Sequence, residues 1–318
     1  MRINIALISM LSFASACAAV PLQPAPQKLQ PWTTTLRDRQ PEGAFAAVYR
    51  VGSKHLVFIG AEHENQNDSP TFRMIRDGYA SFKFDTVIAE GFPTSLGVNP
   101  VRIFDYVSKS KIGADGFVDG GETVPTVSGA RQQSARLFGG EADDLEIKML
   151  VATEGITDRD LLGFYVLRNL PQWIAERELT NAADPRLQSL VEKALVRQRE
   201  RLQIPPSTLP DYVAWLIWYS MTNGKPLATS FDTEEVGPLA DGRFGTNRIA
   251  YAVSRARDAY LHHLIIDHIN VGENVLVVFG GSHLMIHRPA LDVLLGRPCY
   301  DGRDLQLAKK ACRSNNRR

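Results

Sequence analysis

Apolar positions along this chain follow two patterns. Short unbroken runs of strand length occur at Phe45 to Tyr49, His55 to Ile59, Thr86 to Ala89, Ala135 to Phe138 and Val275 to Phe279. Their β-branched content, and the glycine or acidic residue that ends most of them, read as buried strands. Elsewhere the spacing is helical. Ser69-Pro70 supplies an N-cap followed by proline at the first helical position, and Phe72, Ile75, Tyr79 and Phe82 then recur on one face. Helical signals dominate from Thr157 to about Asn223, with a break at Pro171, a segment Leu187 to Arg201 and an aromatic segment Leu209 to Met221. A last long helix is expected from about Thr246 to Ile269.

The order of these elements implies a topology. The first two strands meet at a Gly52-Ser53 turn and should pair as a hairpin. Strand, helix and strand from His55 to Ala89 make a βαβ unit, whose strands run parallel. The expected class is α/β, with a mixed, mostly parallel sheet flanked by helices over about 44–300 and a helical cap inserted over about 157–223. Trp215, Trp218 and Tyr219 are read as packing within that cap rather than as a substrate cradle. The chain shows no repeat of solenoid type and no glycine-rich phosphate loop.

The ends read differently. Arg2, an apolar stretch from Ile3 to Phe13 and the small residues Ala14-Ser15-Ala16 before Cys17 have the form of a signal peptide over 1–16, too short for a permanent span. The residues before Cys17 resemble a bacterial lipobox. That resemblance implies acylation of Cys17, export, and a periplasmic or outer-membrane-anchored protein; ordinary cleavage after Ala16 or Ala18 is the alternative. Pro21, Pro24, Pro26 and Pro31 suggest an extended tether over 17–43, and 301–318 reads as a C-terminal tail. In an oxidising compartment Cys299 and Cys312 are expected to pair. At 318 residues, with 44% hydrophobic and 22% charged residues, the chain can bury a large core. Its net charge of +1 supplies no global field toward nucleic acid or anionic membranes.

Candidate chemistry sits at the strand ends. Two apolar runs end in Gly-x-x-His, at Gly60 to His63 and at Gly280 to His283. Glu90 ends a third strand, and Glu141 follows Gly139-Gly140. Parallel strands direct their carboxyl ends to one edge, where ligands bind in open α/β sheets. His63, Glu90, Glu141 and His283 are therefore expected in one cleft. His63, Glu90 and His283 could ligate a divalent Mn, Co or Zn ion that activates water. The same side chains serve metal-free acid–base hydrolysis. Singly, each histidine could instead bond a backbone carbonyl, and Glu141 could be solvated with Asp143, Asp144 and Glu146. Arg257 lies within the apolar stripe Ala250, Val253, Tyr260, Leu261 and Leu264, so it needs a carboxylate such as Glu90 or Glu141, or it clamps a substrate oxyanion. His262 and His263 are read as surface or supporting positions, and His287 as a surface histidine.

Gly60-Ala61-Glu62-His63, the strand ending in Glu90, Arg257-Asp258 with Leu261 and His263, and Gly280-Gly281-Ser282-His283-Leu284 together resemble the TraB, GumN and Tiki proteins and the related erythromycin esterase and ChaN families. The resemblance covers about Phe45 to Gly296. It implies an α/β fold with the paired histidine motifs facing one cleft. Tiki members are metal-dependent proteases, erythromycin esterases open a lactone with a histidine base, and ChaN is a haem-binding lipoprotein. The function it implies here is an exported hydrolase acting on a peptide or ester bond of a small-molecule or peptide substrate. The alternative is a ChaN-like lipoprotein that carries haem or metal without turnover.

Overall fold

Successive side chains along a strand face opposite sides of a sheet, and in this protein both sides are apolar. The computed structural model describes residues 21–175, 177–228 and 231–313. Among these, β1 (Phe45–Val51), β2 (Lys54–Ala61), β3 (Thr86–Pro93), β4 (Arg136–Glu141), β5 (Val275–Gly280) and β6 (Tyr300–Gly302) form one sheet in the order β4-β3-β5-β2-β1-β6. Strands β2, β5, β3 and β4 are parallel, and β1 runs antiparallel to both its neighbours. The chain therefore adopts an α/β fold with a mixed, mostly parallel sheet. The last long strand, β5, enters between β2 and β3, so both Gly-x-x-His motifs leave adjacent parallel strands.

The helices before β5 are α1 (Thr34–Arg37), α2 (Pro70–Ser81), α3 (Val101–Lys109), α4 (Thr123–Gln133), α5 (Asp144–Thr153), α6 (Asp158–Leu167), α7 (Leu170–Ala175), α8 (Leu187–Leu202), α9 (Tyr212–Asn223) and α10 (Gly245–Asn270). After β5 come α11 (Gly281–Leu295) and α12 (Leu305–Ala311). Val57 and Ile59 of β2, with Leu276 and Val278 of β5, pack beneath α2, α4 and α12. The alternate residues Leu56, Phe58, Val275, Val277 and Phe279 pack beneath α10 and α11. Ser69 caps α2 by accepting from the Phe72 N–H, as its sequence position implies.

A separate apolar cluster joins α5 to α9 and includes Trp215, Trp218 and Tyr219, all fully buried. Ile147 and Val151 of α5 already belong to it, so the helical packing starts before Thr157. The first half of α10, through Ile249, Ala250, Val253 and Ala256, packs into this cluster; the second half, through Leu261, Ile265, Ile266 and Ile269, packs on the sheet. One 26-residue helix thus holds the cap to the sheet. Helix α4 escapes a reading of periodicity because Pro125 and Gly129 interrupt it. Packing fixes it instead: the Tyr79 hydroxyl donates to the Thr126 carbonyl at 2.6 Å, and a Cβ on Gly129 would overlap the Tyr79 ring.

Two assignments at the ends change. Residues 21–43 are a packed strap, not an extended tether. Trp32 is buried against Leu239 and Ile286, the Ala240 N–H donates to the Trp32 carbonyl at 2.7 Å, and the Gln30 N–H donates to that of Ile286 at 3.2 Å. A few apolar anchors outweigh the proline-rich background that suggested a linker. Likewise 301–313 is no loose tail: β6 extends the sheet, Leu305 and Ala308 are buried, and Cys299 is joined to Cys312 with Cα atoms 5.2 Å apart. The signal peptide, Cys17 and residues 314–318 lie outside the described residues. No helix among the described residues is long and apolar enough to cross a membrane.

Trp32→Ala should cost about 3–5 kcal/mol in urea unfolding, the range for emptying a buried aromatic site. Retention of full stability would mean that the strap does not hold the fold. Reducing the Cys299–Cys312 bond should lower stability by about 3 kcal/mol in the chain-entropy account of a short loop, read as a shift of the same transition.

Candidate active site

Parallel register brings the candidate residues to one level. Ala61 of β2 lies beside Gly280 of β5, and Ala89 of β3 lies beside both Val278 and Gly139. Ile88 enters the core beneath α10, so Glu90, two residues on, faces α10 as well. Arg257 of α10 meets it there. Its Nη2 donates to Glu90 Oε1 at 3.0 Å and to Glu141 Oε1 at 2.5 Å, while its Nε donates to Glu141 Oε2 at 2.6 Å. The remaining Glu90 oxygen, Oε2, accepts from the Gly280 N–H at 2.7 Å. Strand β3 does not stop at Glu90, as the sequence reading has it. An irregularity between Ala89 and Pro93 lets pairing with β4 resume, leaving Glu90 inside the strand and Glu141 as the last residue of β4.

The next residue on α10 builds a second cluster. Asp258 is buried and accepts at Oδ1 from His283 Nδ1 at 2.6 Å and from His287 Nε2 at 3.2 Å; Ser254 Oγ donates to Oδ2 at 3.2 Å. His283 stands in the first turn of α11, with its Nε2 3.5 Å from Glu90 Oε1. It therefore links the two carboxylate centres. His287 is wholly buried, which corrects its assignment to the surface: one turn along α11 from His283, it faces the same aspartate. His262 is buried too and accepts from the Ala25 N–H at 3.2 Å, whereas His263 is exposed.

His63 completes the group from the solvent side. Its side chain is 64% exposed against 8% for His283. Its Nδ1 donates to Glu122 Oε1 at 2.5 Å, since an ionised carboxylate can only accept. That bond leaves Nε2 as the free nitrogen. Nε2 lies 3.1 Å from where a Cβ on Gly280 would sit, and Glu90 Oε2 lies 3.6 Å from the same point. A side chain at 280 would crowd the ring at this point.

Opposing effects set the charges. Burial pushes the Glu90 carboxyl up, but His283, Arg257 and His63 outweigh it and hold the group well below the carboxylate range. Asp258 follows the same logic, with His283 and His287 overcoming burial. Burial alone lowers His283; Asp258 and Glu90 override it and raise the imidazole to about 10. Arg257, between two carboxylates, is raised despite burial. His63 is raised chiefly by its bond to Glu122. His262, lacking an acid, is driven down to about 3 by burial and by its neighbours His287 and His263.

His63, Glu90 and His283 do not fit a metal centre as they stand. No group of three or more His, Cys, Asp or Glu side chains among the described residues is gathered to hold an ion. Glu90 is occupied by Arg257 and the Gly280 amide. The guanidinium supplies the positive charge that an ion would bring. A cleft of about 230 Å³ is lined by Glu90, Glu141 and Arg257 together with Tyr165, Arg168 and Arg201.

Glu90, Glu141, Arg257 and His283 thus form one network, and His63, bonded to Glu122, comes up beside it at Gly280. Sequence reasoning assigned no role to Asp258, Glu122, Ser254 or His287. Asp258 had a readable signal: Ser254, Asp258 and Leu261 recur at helical spacing, and a buried acid demands a partner as much as Arg257 does. Glu122 follows Gly120-Gly121 in a turn and carries no periodic signal.

Asp258→Asn should drop the His283 pKa by several units from about 10, measured by NMR titration. The folded-state pKa is raised above 6.5, so the stabilisation is whole below about pH 6.5 and fades as pH rises toward about 10. Asp258 itself is depressed from 3.8, so its share is lost as pH falls below that value. The stability gap between wild type and variant should therefore peak between these limits; a gap independent of pH would contradict the assignment. No family model matches the chain, and neither a curated protein nor a solved structure does.

Proposed function

We propose that the protein is a hydrolase of peptide or ester bonds in which His63 is the general base. One observation carries this reading: an accessible imidazole bonds a carboxylate through Nδ1 and presents Nε2 at a buried charged centre. That is the geometry an imidazole needs to take a proton from water in the correct tautomer. His63 Nε2 removes a proton as the water oxygen attacks the carbonyl carbon, and returns it to the leaving oxygen or nitrogen as the tetrahedral adduct collapses. Negative charge on the carbonyl oxygen falls near the His283 imidazolium and the first-turn amides of α11, which have no intrahelical acceptors. Glu90 and Arg257 hold this frame and are not consumed. The resemblance to the erythromycin esterases, with their histidine base, agrees with the reading, and export through the N-terminal segment remains part of the proposal.

An ester and peptide substrate screen on metal-analysed protein tests it. His63→Gln should cut kcat/KM by about 10²–10⁴-fold, while unfolding free energy stays within about 0.5 kcal/mol because the ring is exposed. Activity should rise with pH through a limb above 6.5, since Glu122 raises the base. Glu122→Gln should move that limb to lower pH. Full activity in His63→Gln would end the assignment. Absence of turnover together with a Soret shift on adding haemin would replace it with a carrier.

A further inference from the structure

Beyond Arg257 the cleft holds a cation without an acid. Arg201 pairs with Asp144 at 2.5 Å, and Arg257 is shared between Glu90 and Glu141. Arg168, just past the end of α6, is different. Its guanidinium lies 4.8 Å from the centroid of the Tyr165 ring, and among the described residues no carboxylate lies within ion-pair distance of it. The residue is exposed and lines the cleft. Desolvation first, and Arg257 next, disfavour its charge, while Glu141 and Asp144 act too weakly to compensate.

We propose that Arg168 recognises a carboxylate on the substrate, so that the substrates are acidic peptides or carboxylate-bearing esters. A guanidinium held over an aromatic ring, as Arg168 is over Tyr165, still has N–H groups for the two oxygens of a carboxylate. The cleft of about 230 Å³ is below the size of sites that enclose drug-sized ligands, and suits one acidic side chain or terminus rather than a whole substrate. Glu90, Arg257, Arg168 and Tyr165 all line it. A carboxylate held at Arg168 thus lies in one cavity with Glu90 and Arg257, which frame the proposed reacting centre. The Arg168 assignment stands on the cleft geometry; its place beside a scissile bond rests on the hydrolase reading.

The test has a binding arm and a turnover arm. In calorimetry on the full chain, glutarate should bind and its neutral analogue glutaramide should not. Glutarate affinity should fall at least about 10-fold in Arg168→Gln and less in Arg168→Lys, which keeps charge but loses the fork. In turnover, the kcat/KM preference for a carboxylate-bearing ester over its carboxamide counterpart should shrink by roughly 10- to 100-fold in Arg168→Gln. Unchanged far-UV dichroism and melting temperature would verify that the variant is folded. Equal binding of glutarate and glutaramide, or glutarate binding unaltered in folded Arg168→Gln, overturns the proposal. Selective, Arg168-dependent glutarate binding without turnover of any ester or peptide upholds the carboxylate site and removes the hydrolase reading alone.

Discussion

The arrangement depends on a guanidinium taken out of water. Arg257 sits midway along the helix that joins the cap to the sheet, where it is largely shielded from solvent. Burying such a charge alone is prohibitive, so two carboxylates from neighbouring parallel strands are drawn to it. Breaking one partner of such a pair typically costs about 3–5 kcal/mol. The interaction therefore fixes Glu90 and Glu141, ties β3 and β4 to α10, and sets the position of the cap over the strand ends.

Asp258 repeats the arrangement one residue later with histidines in place of arginine. The Asp258–His283 pair is buried and aligned, so its imidazole stays charged, whereas His63 meets its own carboxylate at the surface. Two histidine–carboxylate pairs thus sit at one centre in different dielectric surroundings. That difference divides a fixed cation from a titratable base, much as unlike environments divide the roles of paired carboxylates. Behind them the strap meets the network at His262, which accepts from the Ala25 N–H.

Much of this order was visible in the chain before folding was considered. Strands buried on both faces leave unbroken apolar runs, so β2, β3 and β5 could be read with their direction, and the residues near their carboxyl ends could be nominated together. Arg257 stood out because a charge in an apolar stripe needs an explanation. Helix α4, with proline and glycine inside it, leaves no such trace, and the strap reads as a linker because Trp32 and Leu36 are sparse among prolines and polar residues.

Periodicity and local chemistry are properties of short segments, so the sequence by itself determined the main strands and longer helices, the α/β class, the cysteine pair and the five nominated side chains. Which histidine is buried, which acid faces it and where a cation is left without an acid depend on contacts between residues far apart in the chain. Glu122 reaches His63 across 59 residues, and Glu90 reaches Arg257 across 167. Such pairings carry no local signature, because the free energy that selects them arises only when desolvation and charge are balanced in the packed molecule. Only the tertiary structure decided them.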